Sequence, residues 1–373
     1  MTISFHADFD GGNIEFKGGD NGRFDLAIRP DGKSHHYQWF YFRVDGAKGQ
    51  ALELRLVNAS GSAYPDGWPN YKARVSGDNA DWTCAETAYA DGVLTIRYTP
   101  TTDSAWFAYF APFSSERHAA LVTQYAVAEG VRHDVLGHSL DGRTIDRLRF
   151  GTGALQVWFY ARQHPGETMA EWWMEGALAW LTGPQAADLL EAATVHVIPN
   201  MNPDGSARGH LRTNAAGTDL NREWAGPTAE RSPEILCVLN AMIETGVDFA
   251  MDVHGDEAIP HVFIAGFDGI PSLSDRQSVL YRIYTESLDV KTPDFQRTHG
   301  YPISAPGRAN LAMSTAALAE RFGAVSMTLE MPFKDHDDAP DPVHAWSPER
   351  SRKLGADCLA TLSGMIEDFA KSK

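Results

Sequence analysis

Cysteine is scarce: the 373 residues hold only Cys84, Cys237 and Cys358, far apart, odd in number and never paired as C-x-x-C. A disulfide framework and a cysteine-ligated zinc site are both disfavoured, and a reducing compartment fits. Positive charge is short as well, with 32 Lys+Arg against 49 Asp+Glu, a formal net charge of -17 and no basic tail. A nucleic acid or an anionic membrane would meet a repulsive field, so neither is an expected partner. No run of 18 apolar residues occurs, and the start "MTISFHADFDGGNIEF" has neither the basic flank nor the apolar stretch of an export signal. The expectation is a soluble cytoplasmic protein. Four catalytic signatures are also missing: the G-x-S-x-G elbow, a G-x-G-x-x-G after a strand, a phosphate loop and an H-E-x-x-H helix. Serine hydrolases, dinucleotide enzymes, NTPases and zincins lose their usual entry points.

What is present divides the chain in two. Residues 1–112 carry short alternating segments ("YQWFYFRV", "ALELRLV", "GVLTIRYTP") punctuated by turn clusters such as "PDG" and "YPDGWPN". With no helix-period run among them, they predict an antiparallel β-sandwich. In residues 113–373, strand-length apolar runs ("ALQVWFYA", "TVHVIP", "VDFAMDVHG", "HVFIAG", "AVSMTLEM") alternate with amphipathic segments, among them "ETMAEWWMEGALAWLTG" and a last one, "SPERSRKLGADCLATLSGMIEDFAKS". This predicts an α/β domain whose sheet is covered by helices on both faces.

The chemistry-bearing residues stand where those runs end. In "ARQHPGETMAEWW", His164 and Glu167 follow an apolar run and precede a helix, the junction at which side chains of an α/β sheet enter a ligand crevice. The H-x-x-E spacing lets imidazole and carboxylate converge on one ion across the Pro165–Gly166 turn, although a plain polar turn accounts for the motif when it stands alone. A catalytic zinc takes three protein ligands and leaves a position for water, and His254 at the end of "VDFAMDVHG" supplies the third. His196 lies inside its strand, and most other histidines lie in polar segments; His261, His299 and His344 remain open alternatives. Glu330 is the single carboxylate in the apolar strand "AVSMTLEMPF"; an unpaired carboxylate there is costly, so it is either paired or facing a site as a general base. Asn-Pro-Asp-Gly at 202–205 is a strong turn signal. Arg212 and Arg222 follow it, and their guanidinium forks suit a carboxylate or an oxyanion as well as a solvated surface.

The ordered set H-P-G-E, N-P-D-G, D-L-N-R, D-V-H-G and T-L-E resembles the M14 zinc metallocarboxypeptidases, and within them the cytosolic carboxypeptidase branch, whose members carry an amino-terminal β-domain. The resemblance implies a mixed central sheet flanked by helices in the catalytic domain. It implies one Zn2+ per chain on His164, Glu167 and His254, with Glu330 as the base and Arg212 beside the scissile carbonyl. Asn221 and Arg222 would grip the terminal carboxylate of a peptide or protein substrate, and Arg143 would line a neighbouring subsite. Tyr301 is the candidate for the family's mobile tyrosine. Arg308, in "APGR", stands where an arginine would favour an acidic terminal side chain such as glutamate.

Two other readings compete. A deacylase of N-acyl amino acids, similar to aspartoacylases and desuccinylases, would share parts of this set, but the longer catalytic region and the β-domain favour a peptidase. A peptide-binding pseudoenzyme is disfavoured because Glu330 is intact. The aromatic stretch "HHYQWFYF" is expected to serve core and interface, with homo-oligomer contact among the roles open to the β-domain.

Overall fold

The structure, a computed structural model, describes residues 3–371. In the amino-terminal part, alternation decides the architecture. Its strands are β1 (Ser4–His6), β2 (Glu15–Asp20), β3 (Arg23–Ala27), β4 (Tyr41–Asp45), β5 (Leu52–Leu56), β6 (Arg74–Ser76), β7 (Thr83–Cys84), β8 (Glu86–Ala90), β9 (Val93–Tyr98) and β10 (Ser104–Ala108). They form two five-stranded sheets, ordered β1-β4-β10-β6-β7 and β2-β3-β5-β9-β8. On β5, Leu52, Leu54 and Leu56 point inward, while Arg55 turns out to meet Asp25 at 2.8 Å. Phe42 of β4 stacks on Phe107 of β10 with centroids 5.3 Å apart, joining neighbouring strands on the inner face. One pair departs from the antiparallel expectation: β3 and β5 run parallel, because the chain between them crosses into the other sheet to form β4.

The second part contains α1 (Ser115–Ala126), β11 (Arg132–His138), β12 (Thr144–Phe150), β13 (Leu155–Ala161), α2 (Met169–Leu181), α3 (Ala187–Ala192), β14 (Ala193–Ile198), α4 (Pro203–Arg208) and α5 (Pro233–Thr245). It continues with β15 (Phe249–Asp256), β16 (Phe263–Ala265), α6 (Asp275–Lys291), α7 (Ser314–Phe322), β17 (Val325–Pro332), α8 (Pro348–Gly364) and α9 (Ile366–Lys371). The sheet order is β11-β12-β14-β13-β15-β17-β16; the central strands β14, β13, β15 and β17 are parallel and the flanking pairs antiparallel, a mixed sheet. Every residue of β15 and β17 is buried, which is why both read as unbroken apolar runs.

Alternate residues of those strands feed two cores. Trp158, Tyr160 and Ala250 pack with Ile235, Met242 and Leu318 of α5 and α7 on one face. Phe159, Phe249 and Met251 pack with α2, α6 and α8 on the other, and that core continues without a break into the β-sandwich. Helices α2 and α8 approach closely through glycine: a Cβ on Gly176 would sit 2.0 Å from the Arg352 carbonyl oxygen, and one on Gly355 2.3 Å from that of Trp173.

Two local expectations change. Asn-Pro-Asp-Gly is not a bare turn: the Asn202 side chain caps α4 by accepting from Gly205 N, Pro203 occupies the first turn, and Gly209 closes the helix at φ 67°. The last amphipathic segment is two helices, not one, since α8 ends at Gly364 and Met365 leaves helical geometry before α9 begins.

Candidate active site

The carboxyl ends of β13, β15 and β17 lie side by side, with Ala161 opposite Val253 and His254 opposite Glu330. Side chains leaving those ends therefore enter one crevice. The turn that carries His164 and Glu167 is held by its own neighbour. Arg162, in the left-handed region at φ 61°, folds its guanidinium back onto the Pro165 carbonyl at 2.6 and 3.0 Å and onto Glu171 at 2.6 Å. Gly166 is required there, because a Cβ would come within 2.9 Å of the Leu211 carbonyl oxygen. Thr168 then ties the start of α2 to the Ala111 carbonyl at 2.9 Å.

His164, Glu167 and His254 converge, all buried. His164 Nδ1 lies 2.7 Å from one Glu167 oxygen and His254 Nδ1 2.7 Å from the other, with the ring centroids 4.8 Å apart. The remote nitrogens face carboxylates: His164 Nε2 lies 3.1 Å from Asp219, and His254 Nε2 lies 2.8 Å from Asp252 Oδ1, off the line a hydrogen bond needs. Each Nε2 is thus placed to carry the ring proton, which turns a lone pair on each Nδ1 toward an anionic carboxylate. Three acceptors facing one another in a buried space call for a cation, and two imidazoles plus one carboxylate, each histidine backed by an aspartate, is the donor set of a catalytic zinc.

Glu330 stands next to this cluster. Its Oε1 lies 3.3 Å from the Tyr301 hydroxyl oxygen, while Oε2 is buried with no hydrogen-bond partner. Burial pushes its pKa well above the usual carboxylate value; Glu167, Asp256 and Glu257 add to the rise and His254 opposes it. Tyr301 is 46 % exposed as a residue, yet its hydroxyl end lies between Glu330 and Asp256, donating to the latter at 2.6 Å. Burial of that end and the two carboxylates raise the phenol's pKa, so it remains a donor.

The arginine block lies across from these groups. Arg212 Nε donates to Asp219 at 2.9 Å, and its guanidinium carbon lies 5.7 Å from the centre of the Tyr64 ring, a side chain contributed by the β-sandwich. Burial alone would raise the Asp219 pKa, but His164 and Arg212 hold it far below the usual carboxylate range. The Arg212 backbone is fixed from the same sandwich: Asp31 accepts from Leu211 N, Arg212 N, Thr213 N and Thr213 Oγ1 at 2.7 to 3.0 Å. Asn221 is buried, its Oδ1 accepting from Ser314 N at 2.9 Å. Arg222 is exposed, donates to the Asn221 carbonyl at 2.7 Å and has no ion-pair partner among the described residues. Arg143 is held by Asp204 at 2.9 Å and Asp141 at 3.3 Å, partners outside the metal-type cluster. Arg308 is exposed on the segment between Tyr301 and α7, in a turn closed by its own N–H onto Ala305.

Several residues of the site escape a motif search. Asp219 and Asp252 stand inside "DLNR" and "DVHG" as the partners of His164 and His254; Asp252 is two places before His254, so strand alternation could have placed it on the same side. Tyr64 and Asp31 lie in the other half of the chain, and no local signal connects them to the crevice. Glu257 is also buried there, its pKa driven up by burial and by Glu167 and Asp256.

Comparison with known proteins agrees with this geometry. Residues 5–110 match the cytosolic carboxypeptidase N-terminal domain, and residues 120–255 match the zinc carboxypeptidase domain. A metallo-carboxypeptidase from Burkholderia cenocepacia superposes with a TM-score of 0.96 at 42 % identity, covering 99 % of this chain and all of that one. One from Pseudomonas aeruginosa, in complex with (2-guanidinoethylmercapto)succinic acid, gives 0.96 at 45 % identity over 98 % of this chain and 100 % of that one. Cytosolic carboxypeptidase 4 of Mus musculus is 30 % identical over 79 % of this chain, which spans 32 % of the mouse protein's length. An uncharacterized protein of Zymomonas mobilis is 60 % identical over 99 % of this chain and 98 % of its own. Among the described residues no helix is long and apolar enough to cross a membrane. With zinc-type donors at the strand ends and both of its parts matched, the chain belongs to the M14 zinc carboxypeptidases, in the cytosolic carboxypeptidase branch, and is a metallocarboxypeptidase.

Proposed function

We propose that the protein removes single residues from the carboxyl ends of cytoplasmic peptides or proteins, using one catalytic zinc on His164, Glu167 and His254. The observation that carries this reading is the pair of histidine Nδ1 atoms, each 2.7 Å from one oxygen of the same carboxylate. Bound there, zinc supplies Lewis acidity and lowers the pKa of a water toward about 7.

The rest falls to the chain's own groups. Glu330 takes a proton from the attacking water through its unpartnered Oε2 and delivers it to the leaving amine nitrogen as the C–N bond breaks. Arg212, held by Asp219 and Asp31, meets the negative charge that develops on the carbonyl oxygen. Arg222, beside Asn221 and lacking an ion-pair partner among the described residues, takes the substrate's free carboxylate, which confines cleavage to the last peptide bond. Tyr301 donates into the space beside Glu330 and fits the role of the mobile tyrosine. Arg143 would act further out, at the subsite rim, since Asp204 and Asp141 already hold it.

Arg308, exposed in the segment that follows Tyr301, supports a preference for a terminal glutamate. A second preference has its own support: the Pseudomonas aeruginosa relative binds a molecule with a guanidine as well as a succinate, which is the chemistry of a basic terminal residue. Kinetics on peptides ending in Glu, Lys or Phe, each with a free and an amidated carboxyl end, decide both points. The expected result is release of one residue from free ends only, fastest for Glu, with Arg308→Ala removing the advantage of Glu. Faster release of Lys or Phe overturns the acidic preference, and cleavage of amidated peptides overturns the carboxylate grip.

A further inference from the structure

A second group of metal-type donors lies outside the catalytic cluster. His261 is in the loop between β15 and β16, and His336 and Asp338 follow β17; the antiparallel pairing of β16 with β17 brings these loops together. Their donor atoms all lie within 4.8 Å of one another, with His261 Nδ1 3.1 Å from Asp338 Oδ2. Both imidazoles are buried, at 6 % and 0 % exposure, whereas the Asp338 side chain is 56 % exposed, which leaves an open side for an ion to enter.

We propose that His261, His336 and Asp338 form a second divalent-metal site, for zinc or a similar borderline transition ion, at the foot of the segment that carries Tyr301. His336 shows the preparation such a ligand needs. Its Nε2 donates to the Asp294 carbonyl at 2.7 Å, which fixes the ring orientation and leaves the lone pair on Nδ1. The competing donor to Nδ1 is the Asp338 backbone N–H, long at 3.3 Å. The cation on this side, Arg350, is engaged by Asp294 at 2.6 Å. Two imidazoles and a carboxylate suit zinc, cobalt or nickel rather than calcium or magnesium, which prefer oxygen-only shells.

The position gives such a site a use. His299 stacks on His261 with centroids 4.4 Å apart and planes 8° from parallel, and His299 is two residues before Tyr301. Gln296, at the start of the same segment, donates from its backbone and its side chain to the Val262 carbonyl, the residue after His261. An ion on His261 therefore fixes the ring against which the Tyr301 segment rests.

The test is metal stoichiometry on the full metal-free chain, by native mass spectrometry and calorimetry with Zn2+ and Co2+. Wild type is expected to take two ions, His261→Asn/His336→Asn one, and His164→Asn/His254→Asn one. A folded His164→Asn/His254→Asn chain that binds no ion overturns the second site. So does a His261→Asn/His336→Asn chain that still binds two, because the second ion then lies elsewhere. Should that variant fail to fold, Asp338→Ala at the exposed ligand takes its place, with the weaker of the two affinities expected to fall at least tenfold and an unchanged value counting against the site. Loss of all metal from His261→Asn/His336→Asn with one ion kept by His164→Asn/His254→Asn refutes the catalytic assignment instead, so the two failures are distinguishable.

Discussion

Asp31 tests whether the β-sandwich is part of the catalytic apparatus. Its carboxylate accepts from three successive backbone N–H groups and one hydroxyl of residues 211–213, and Asp31 is 1 % exposed. Oδ1 accepts from Leu211 N alone and Oδ2 from the other three, so in Asp31→Asn an amide oxygen placed at the Oδ2 position keeps those three while the new amide nitrogen faces Leu211 N, and at least one buried donor loses its partner. One unsatisfied buried group costs about 1–3 kcal/mol, which is the minimum expected loss. Arg212 is in the middle of that segment, so the guanidinium also loses its fixed backbone. Loss of one donor to a developing oxyanion lowers kcat by about 10²–10³. The assays are urea unfolding followed by tryptophan fluorescence, and steady-state kinetics on a peptide with a free carboxyl end. The variant is expected to unfold at lower urea, to lose kcat more than KM, and to keep its zinc, since no ligand is touched. A stability within about 0.5 kcal/mol of wild type, the ordinary range for surface substitutions, together with unchanged kcat refutes the reasoning.

Gly176→Ala places a methyl 2.0 Å from the Arg352 carbonyl oxygen where α2 meets α8. The gain of about 1 kcal/mol in helix propensity is outweighed by overpacking of about 3 kcal/mol or more, so thermal unfolding should shift down while zinc content holds. His118, half-buried against Glu171 at 2.5 Å and near Asp146, has its pKa raised to about 9: desolvation opposes the rise, and the two carboxylates produce it. A folded-state pKa above the unfolded value of about 6.5 means stabilisation that is full below pH 6.5 and lost as pH rises through 9. The stability difference between wild type and His118→Gln, measured by urea unfolding, should therefore narrow by up to about 3 kcal/mol from pH 6 to pH 10, and a constant difference would contradict the pairing.

Legibility from sequence followed physical range. His164, Glu167, His254 and Glu330 were readable because each interrupts or ends an apolar run, and a parallel strand buried on both faces advertises its carboxyl end. Arg222 and Asn221 were recognisable through the "DLNR" motif, but their use could not be read from spacing. Asp31 and Tyr64 were not legible, since they act on Arg212 across a separation of more than a hundred residues that only packing of the two parts closes. The parallel β3–β5 pair was hidden for a similar reason: alternation reports which face of a strand is buried and says nothing about the direction of its neighbour. Tyr301 lies in a loop without periodicity, and its place beside Glu330 emerges only from the fold.

The most direct test of the central claim is Glu330→Gln, assayed for bound zinc and for hydrolysis on the same preparation. The donors His164, Glu167 and His254 are untouched, so the variant should retain zinc at the wild-type level while release of the carboxyl-terminal residue falls to background. Turnover near the wild-type rate with zinc in place would contradict the assignment of Glu330 as the base.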